Sequence, residues 1–306
     1  MAGTVGVVGL GIMGSAMAAH LVEAGFDVVG YDLVAGKRDA LARAGGRAAS
    51  SVAEVADAAG PGGVVITSLP SPEALAALAA PDGLPAGRSP GLVVAETSTL
   101  ALEDKLAARD ALAASGIVLL DCTISGTGAQ ARARDLVFYA SGDEAAVDRC
   151  LPVLRAVGRS VHQVGPFGNG SKMKFVANLL VSIHNLATAE AMLLARRAGL
   201  DPQTVLRVIA DGAGTSRIFE VRGPLIAERR YHEPTATVRL FLKDLDAIGR
   251  FAGSLAVPTP LLSACVPFYL AAAAQGHIDE DVASLAAVLE RMAALDGEEA
   301  DQAPSG

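Results

Sequence analysis

Cysteine is scarce in this chain. Cys122, Cys150 and Cys265 are spread over 306 residues. An odd number of distant thiols offers neither a disulfide framework nor metal-ligand spacing, and it points to a reducing cytoplasm. Positive charge is also short: 25 Lys and Arg stand against 33 Asp and Glu, a formal charge of −8. An acidic surface repels phosphates, which excludes nucleic acid and anionic membrane as partners. Long apolar runs are missing as well. Leu261–Ala274 is too short to span a bilayer and contains Pro267, and no basic segment with an apolar run opens the chain. The expectation is a cytoplasmic protein with no membrane partner, no metal and no internal repeat. Charged residues make up 19% against 51% hydrophobic. That balance excludes disorder outside an acidic, small-residue tail at 296–306.

What is present begins at once. Residues 5–32 read as an apolar strand, a turn Gly9-Leu10-Gly11-Ile12-Met13-Gly14, a helix, a second strand and an acidic residue at its end, Asp32. Gly9 permits a tight strand-to-helix turn, Gly11 lets backbone approach a pyrophosphate, and Gly14 lets helix and strand pack closely. The pyrophosphate would lie over free N–H groups at the positive end of the helix dipole. Asp32 stands where a carboxylate accepts hydrogen bonds from the adenosine ribose. The pattern predicts a dinucleotide site.

The first half alternates strands with alanine-rich helices. Strands are expected at Val5–Gly9, Asp27–Tyr31, Val64–Leu69, Leu92–Glu96, Val118–Asp121 and Leu136–Ala140, separated by helical patterns. Such alternation implies right-handed βαβ units and a mainly parallel, doubly wound sheet. After about residue 165 the strand signal stops. A glycine-rich break leads into an uninterrupted helical pattern from Ser171 to Ala198, about 42 Å at 1.5 Å per residue. The remainder is helical, with breaks near Gly212–Gly214, Gly223-Pro224, Glu233-Pro234 and Pro258–Pro260. The fold class expected is therefore α/β: a Rossmann domain (1–165), an inter-domain helix (166–198), an all-α domain (199–295) and the tail. Chemistry is expected in a cleft between the domains, outside the carboxyl ends of the strands.

Lys174 and Asn178 are four apart on the long helix and share a face that Ser182 and Asn185 extend. A lysine on a helix is usually a solvated charge, yet a desolvated one can act as general acid or base. Periodicity leaves both readings standing. Lys172, two residues away, points elsewhere. A second constellation, Asp121-Cys122-Thr123-Ile124-Ser125-Gly126-Thr127-Gly128, follows a strand. It reads equally as an ordinary turn or as a loop presenting N–H groups and Ser125 to an anionic or carbonyl ligand. Leu69-Pro70 and Thr97-Ser98-Thr99 end other strands, where they would meet a nicotinamide or merely cap a helix.

Together, over nearly the whole chain from Thr4 to Leu295, these segments resemble the β-hydroxyacid dehydrogenase family. Gly9–Gly14 with Met17-Ala18 is similar to its nucleotide fingerprint. Ser125 and Gly126 match its substrate loop, and Gly168 to Asn178 matches its Gly-x-Gly-x-x-x-Lys-x-x-x-Asn. The resemblance implies that Lys174 is catalytic. It makes Ser125, Gly126, Thr127 and Asn178 substrate ligands, and Lys243, of the pair Lys243-Asp244, a residue at the nicotinamide end. Leu69, Pro70 and Thr99 join Gly9–Gly14 and Asp32 as cofactor contacts. The implied reaction is NAD(P)-dependent hydride transfer between a small β-hydroxy acid and its semialdehyde or keto acid, of the 3-hydroxyisobutyrate dehydrogenase kind. Tartronate semialdehyde, 4-hydroxybutyrate and sugar acids are alternatives, a non-catalytic dinucleotide-binding protein the remoter one. A homodimer or homotetramer is implied too.

The sequence departs from the family pattern where Thr123 replaces proline and where Thr127 and Arg134 replace glycine. Thr127 adds a hydroxyl beside the expected carboxylate site. Arg217 reads either as a pocket residue for a second anionic group or as a surface arginine. Asp32 would repel a 2′-phosphate and Leu33 stands where NADP-binding relatives tend to carry arginine, so NAD is expected over NADP. Lys37 and Arg38 are near enough to oppose this.

Overall fold

Runs of valine and isoleucine bounded by glycines become strands because both of their faces are covered. The computed structural model describes residues 3–294; the tail expected at 296–306 and the end of the helical domain at 295 lie outside the described residues. Eight strands form one sheet: β1 (Thr4–Val8), β2 (Asp27–Tyr31), β3 (Arg47–Ala48), β4 (Val64–Thr67), β5 (Val93–Glu96), β6 (Val118–Ser125), β7 (Val137–Ser141) and β8 (Ser160–Gln163). Their order is β3-β2-β1-β4-β5-β6-β7-β8. All neighbours are parallel except β6 and β7. Alternate residues feed two cores. Val5, Val7, Val64 and Ile66 pack on one face with Met17 and Leu21 of the helix Ile12–Glu23. Val8, Val29, Val65 and Val94 pack on the other with Val55 and Leu75.

The strand order reverses between β1 and β4. The loops after these strands therefore leave the sheet in opposite directions and open a crevice at its carboxyl edge. Ser68 N–H donates to the Val8 carbonyl at 2.9 Å there, and Gly9 N–H to the Tyr31 carbonyl at 2.9 Å.

Several elements differ from the expectation. The two-residue β3 is exposed and β8 is half-covered at best, so neither carries an apolar signature. In this half the helical patterns expected from sequence run only as far as Leu102–Ser115, and the helices Gly128–Arg132 and Glu144–Val157 lie beyond them, the latter with Pro152 inside it. β6 runs on through Cys122–Ser125, read from sequence as a loop, because Cys122, Thr123, Ile124 and Ser125 pair with Ala140, Tyr139, Phe138 and Val137 of β7. The break expected at Gly223-Pro224 lies inside the helix Arg217–Ala227, whose bonding resumes from the Pro224 carbonyl to Glu228 N–H at 3.0 Å.

The long helix spans Asn169–Arg197, and the described residues divide into two compact units after Lys174, within it. By length and composition this helix could cross a membrane. Its buried residues Phe175, Leu186, Ala189 and Met192 instead pack into the core of the second unit. That unit is helical: Pro202–Ala210, Arg217–Ala227, Val238–Ser254, Pro260–Ala274 and Leu285–Met292 surround Phe219, Phe241 and Tyr269.

Candidate functional site

The three fingerprint glycines are glycines for different reasons. Gly9 has φ +87°, a left-handed conformation that L side chains resist, and a Cβ on it would lie 2.1 Å from the Ser68 carbonyl oxygen. A Cβ on Gly14 would come within 1.8 Å of the Gly9 carbonyl oxygen. Gly11, the N-cap of the helix Ile12–Glu23, would meet nothing within 4 Å. The protein itself does not require glycine at position 11; an external group passing close to the backbone would.

Asp32 closes this loop from the end of β2. Its carboxylate accepts from Leu10 N–H at 2.9 Å, Val34 N–H at 2.9 Å and the Lys37 ammonium at 3.4 Å. Partial burial pushes the carboxyl up, but the Val34 and Leu10 amides and Lys37 outweigh it and hold Asp32 below the ordinary carboxylate value. Arg38 stacks over the Tyr31 ring at 5.7 Å and donates to the Asp32 and Leu33 carbonyls.

The other loops of the carboxyl edge meet the fingerprint. Leu69 N–H donates to Ser98 Oγ at 2.7 Å, joining the ends of β4 and β5, while Pro70 is exposed and Thr99 half-buried. Gly128, just past Ser125, packs so tightly on the first turn after β1 that a Cβ would be 2.5 Å from Ile12 Cγ2. His20 reaches from the helix Ile12–Glu23 to the Ala131 carbonyl at 3.0 Å. Ser125, Gly126 and Thr127 are half-buried at this edge, with Gly126 at φ +143°. The Thr127 N–H donates to Gln130 Oε1 at 3.0 Å, so of the expected carboxylate ligands the Thr127 amide is already engaged. Arg134, at a glycine position of the family, has φ +55°, a conformation glycine adopts without the ~1 kcal/mol cost borne by other residues.

Lys174 lies one turn into the long helix and is 9% exposed, whereas Lys172 is exposed. Its helix begins on the sheet. Asp121 of β6 accepts from Ser171 N–H at 2.6 Å and Ser171 Oγ at 3.0 Å. Behind that carboxylate, Lys105 reaches Asp121 at 2.7 Å and Glu96 at 2.6 Å, all three fully buried. Burial alone would lower the Lys105 ammonium, but Glu96 and Asp121 overcome it and hold the group above its usual value. Sequence reasoning missed Lys105 and Glu96. The available signal was phase: Lys105 lies on the helix face of Ala108 and Leu112, which are buried.

Asn178 and Lys243 belong to the second unit. Asn178 is buried and donates to Asp244 Oδ2 at 2.7 Å. Lys243 is about half exposed, 3.6 Å from Asp244 Oδ1. Asp244, known from sequence only as a neighbour of Lys243, thus fixes the Asn178 amide. Further along the helix face, Asn185 and the Ser182 carbonyl both bond the Tyr269 hydroxyl. Arg217 is exposed and paired with Glu220 at 2.9 Å. Among the described residues no group of His, Cys, Asp and Glu could hold a metal ion.

Two family models match. Residues 4–165 match the NAD binding domain of 6-phosphogluconate dehydrogenase, and residues 168–289 the NAD-binding domain of NADP-dependent 3-hydroxyisobutyrate dehydrogenase. L-threonate dehydrogenase of Cupriavidus necator is 34% identical over 283 residues, covering 92% of this chain and 94% of the relative. NAD-dependent L-serine dehydrogenase of Pseudomonas aeruginosa is 32% identical over 281 residues, covering 90% and 93%. A crystal structure of 3-hydroxyisobutyrate dehydrogenase from Salmonella typhimurium superposes with a TM-score of 0.82 at 32% identity, covering 93% of this chain and 99% of that one.

Proposed function

This chain belongs to the β-hydroxyacid dehydrogenase family, as an NAD(P)-dependent dehydrogenase or reductase of hydroxy acids, and we propose that Lys174 is its general base and acid. In oxidation Lys174 Nζ takes the proton of the substrate hydroxyl; in reduction it returns that proton to the forming alkoxide. A nicotinamide dinucleotide, which the Gly9–Gly14 turn and Asp32 would hold, would take up or supply the hydride when bound. Asp244 holds one N–H of Asn178, leaving the other to steady the reacting oxygen. Ser125 Oγ and the Gly126 amide, with the Thr127 hydroxyl, bind the substrate carboxylate. The residues present fit a dinucleotide: backbone open at Gly11, a helix N-terminus beside it, and an anionic Asp32 for the ribose.

The observation carrying this reading is the burial of Lys174 on a helix whose first turn is bonded to the strand that delivers Ser125. Lys174→Ala is expected to lower kcat by ~10²–10⁴-fold with the NAD Kd unchanged; wild-type turnover in that variant refutes the assignment. The Thr127 hydroxyl and the L-threonate relatives favour a polyhydroxylated acid over 3-hydroxyisobutyrate. Absorbance of reduced cofactor across L-threonate, glycerate, L-serine, 3-hydroxyisobutyrate and 4-hydroxybutyrate tests this, and strict preference for 3-hydroxyisobutyrate contradicts it.

NAD is proposed over NADP because the Asp32 carboxylate stands where a 2′-phosphate would lie; Lys37, paired with Asp32, and Arg38, over Tyr31 and bonded to two carbonyls, are the cations that oppose this preference. Exposed Leu194, Val208, Leu261 and Leu270 on the helical unit support self-association as a homodimer or homotetramer, to be measured by light scattering.

A further inference from the structure

Glu96, Lys105 and Asp121 are all 0% exposed inside the first unit, two carboxyl groups around one amine. A buried ion cluster is no better for stability than well-packed apolar residues of the same volume. Its placement has another consequence. Asp121 accepts from both the N–H and the hydroxyl of Ser171, so its carboxyl group meets the positive end of the long helix. Thr123, two residues on along β6, donates its hydroxyl to the Gly170 carbonyl at 2.7 Å. From β7, Ser141 Oγ accepts from Gly170 N–H at 2.9 Å and donates to the Asp121 carbonyl at 3.0 Å. Gly170 is pressed so close that a Cβ would lie 2.5 Å from the Asp121 carbonyl oxygen and 2.6 Å from that of Tyr139.

The first helical turn is thus clamped to two strands, and the clamp and Ser125 share one ruler. Asp121, Thr123 and Ser125 alternate along the same face of β6, each step spanning roughly 6.7 Å. Lys174 lies three residues beyond Ser171, about 4.5 Å along the helix axis. We propose that Asp121, oriented by Lys105 and Glu96, is a positioning residue that sets Lys174 at its working distance from the Ser125 loop. The proposal rests on Lys174 being the acid–base group. An amide could not replace the carboxylate, because one of its two heads would turn N–H groups toward the donors of Ser171 or Lys105.

The test uses Asp121→Asn, with Thr123→Val as a second variant that removes the β6 hydroxyl bond to Gly170 from the clamp without disturbing a buried charge. Amide hydrogen exchange of the free protein is expected to speed up at residues 171–174 and to stay unchanged in β1 and β4. With NAD and the panel acid of highest kcat/KM, kcat is expected to fall at least about tenfold, since ångström-scale misplacement costs up to ~10²-fold. KM and the NAD Kd are expected within about twofold of wild type. In the Lys174→Ala background, Asp121→Asn is expected to cost nothing further. An equal loss in both backgrounds overturns the proposal, as do folded Asp121→Asn or Thr123→Val variants with wild-type kcat beside an inactive Lys174→Ala. Wild-type turnover by Lys174→Ala would instead remove the acid–base reading, and the positioning role with it.

Discussion

Replacing Lys105 with Met removes one cation from between two carboxylates at nearly constant volume. The ammonium is 2.6 Å from Glu96 and 2.7 Å from Asp121, and none of the three is exposed. Breaking a buried pair from one side costs ~3–5 kcal/mol because the remaining charge is left unpaired. That is a large share of the ~5–15 kcal/mol that holds a typical domain together. At about 2–4 °C per kcal/mol, the melting temperature should fall by roughly 6–20 °C. Lys105 is itself held above the ordinary lysine value of 10.5, so its contribution is present in full below that value and is lost as pH rises through the raised one. Urea denaturation followed by circular dichroism at pH 7 should therefore show the whole deficit. A Lys105→Met protein within about 1 kcal/mol of wild type at pH 7 would refute the reasoning.

Gly11→Ala and Gly14→Ala should part company: both are expected to weaken NAD binding at least about tenfold by calorimetry, but only Gly14→Ala, whose Cβ would lie 1.8 Å from a carbonyl, should also lower the melting temperature. Equal melting temperatures would contradict the division of labour. Asp32→Ala should lower kcat/KM for NAD about tenfold or more through lost charged hydrogen bonds and raise the NADP-to-NAD ratio; an unchanged ratio would show that Asp32 does not select the cofactor. The three thiols should resist Ellman's reagent in the native protein at pH 8, because burial pushes Cys150 up to about 12 and raises Cys122 and Cys265. All three should react in denaturant, and rapid labelling of the folded chain would contradict their burial.

The nucleotide-binding half was legible because its signals are local. A strand, three glycines, a helix and an acid within one βαβ unit place their own atoms, and the geometry at Gly9, Gly11 and Gly14 differs in the way the motif implies. Spacing along a single helix likewise separated Lys174 from Lys172, one buried and the other exposed. Less was legible where pairing partners carry the information. Residues 122–125 look like a loop until β7 lies against them, and Thr127 looks like a free donor until Gln130 folds back to accept its amide.

By itself, then, the order of residues determined the alternation of strands and helices, the glycine turn and the polar stripe of the long helix, since each depends on neighbours a few positions away. Only the tertiary structure decided that Glu96, Lys105, Asp121 and Ser171 would meet, and that Asn178 would be held by Asp244, 66 residues along the chain. The register of β5 with β6 and the seating of a helix end on a sheet choose those partners. Both are settled by the packing of whole faces, which no short stretch of sequence contains.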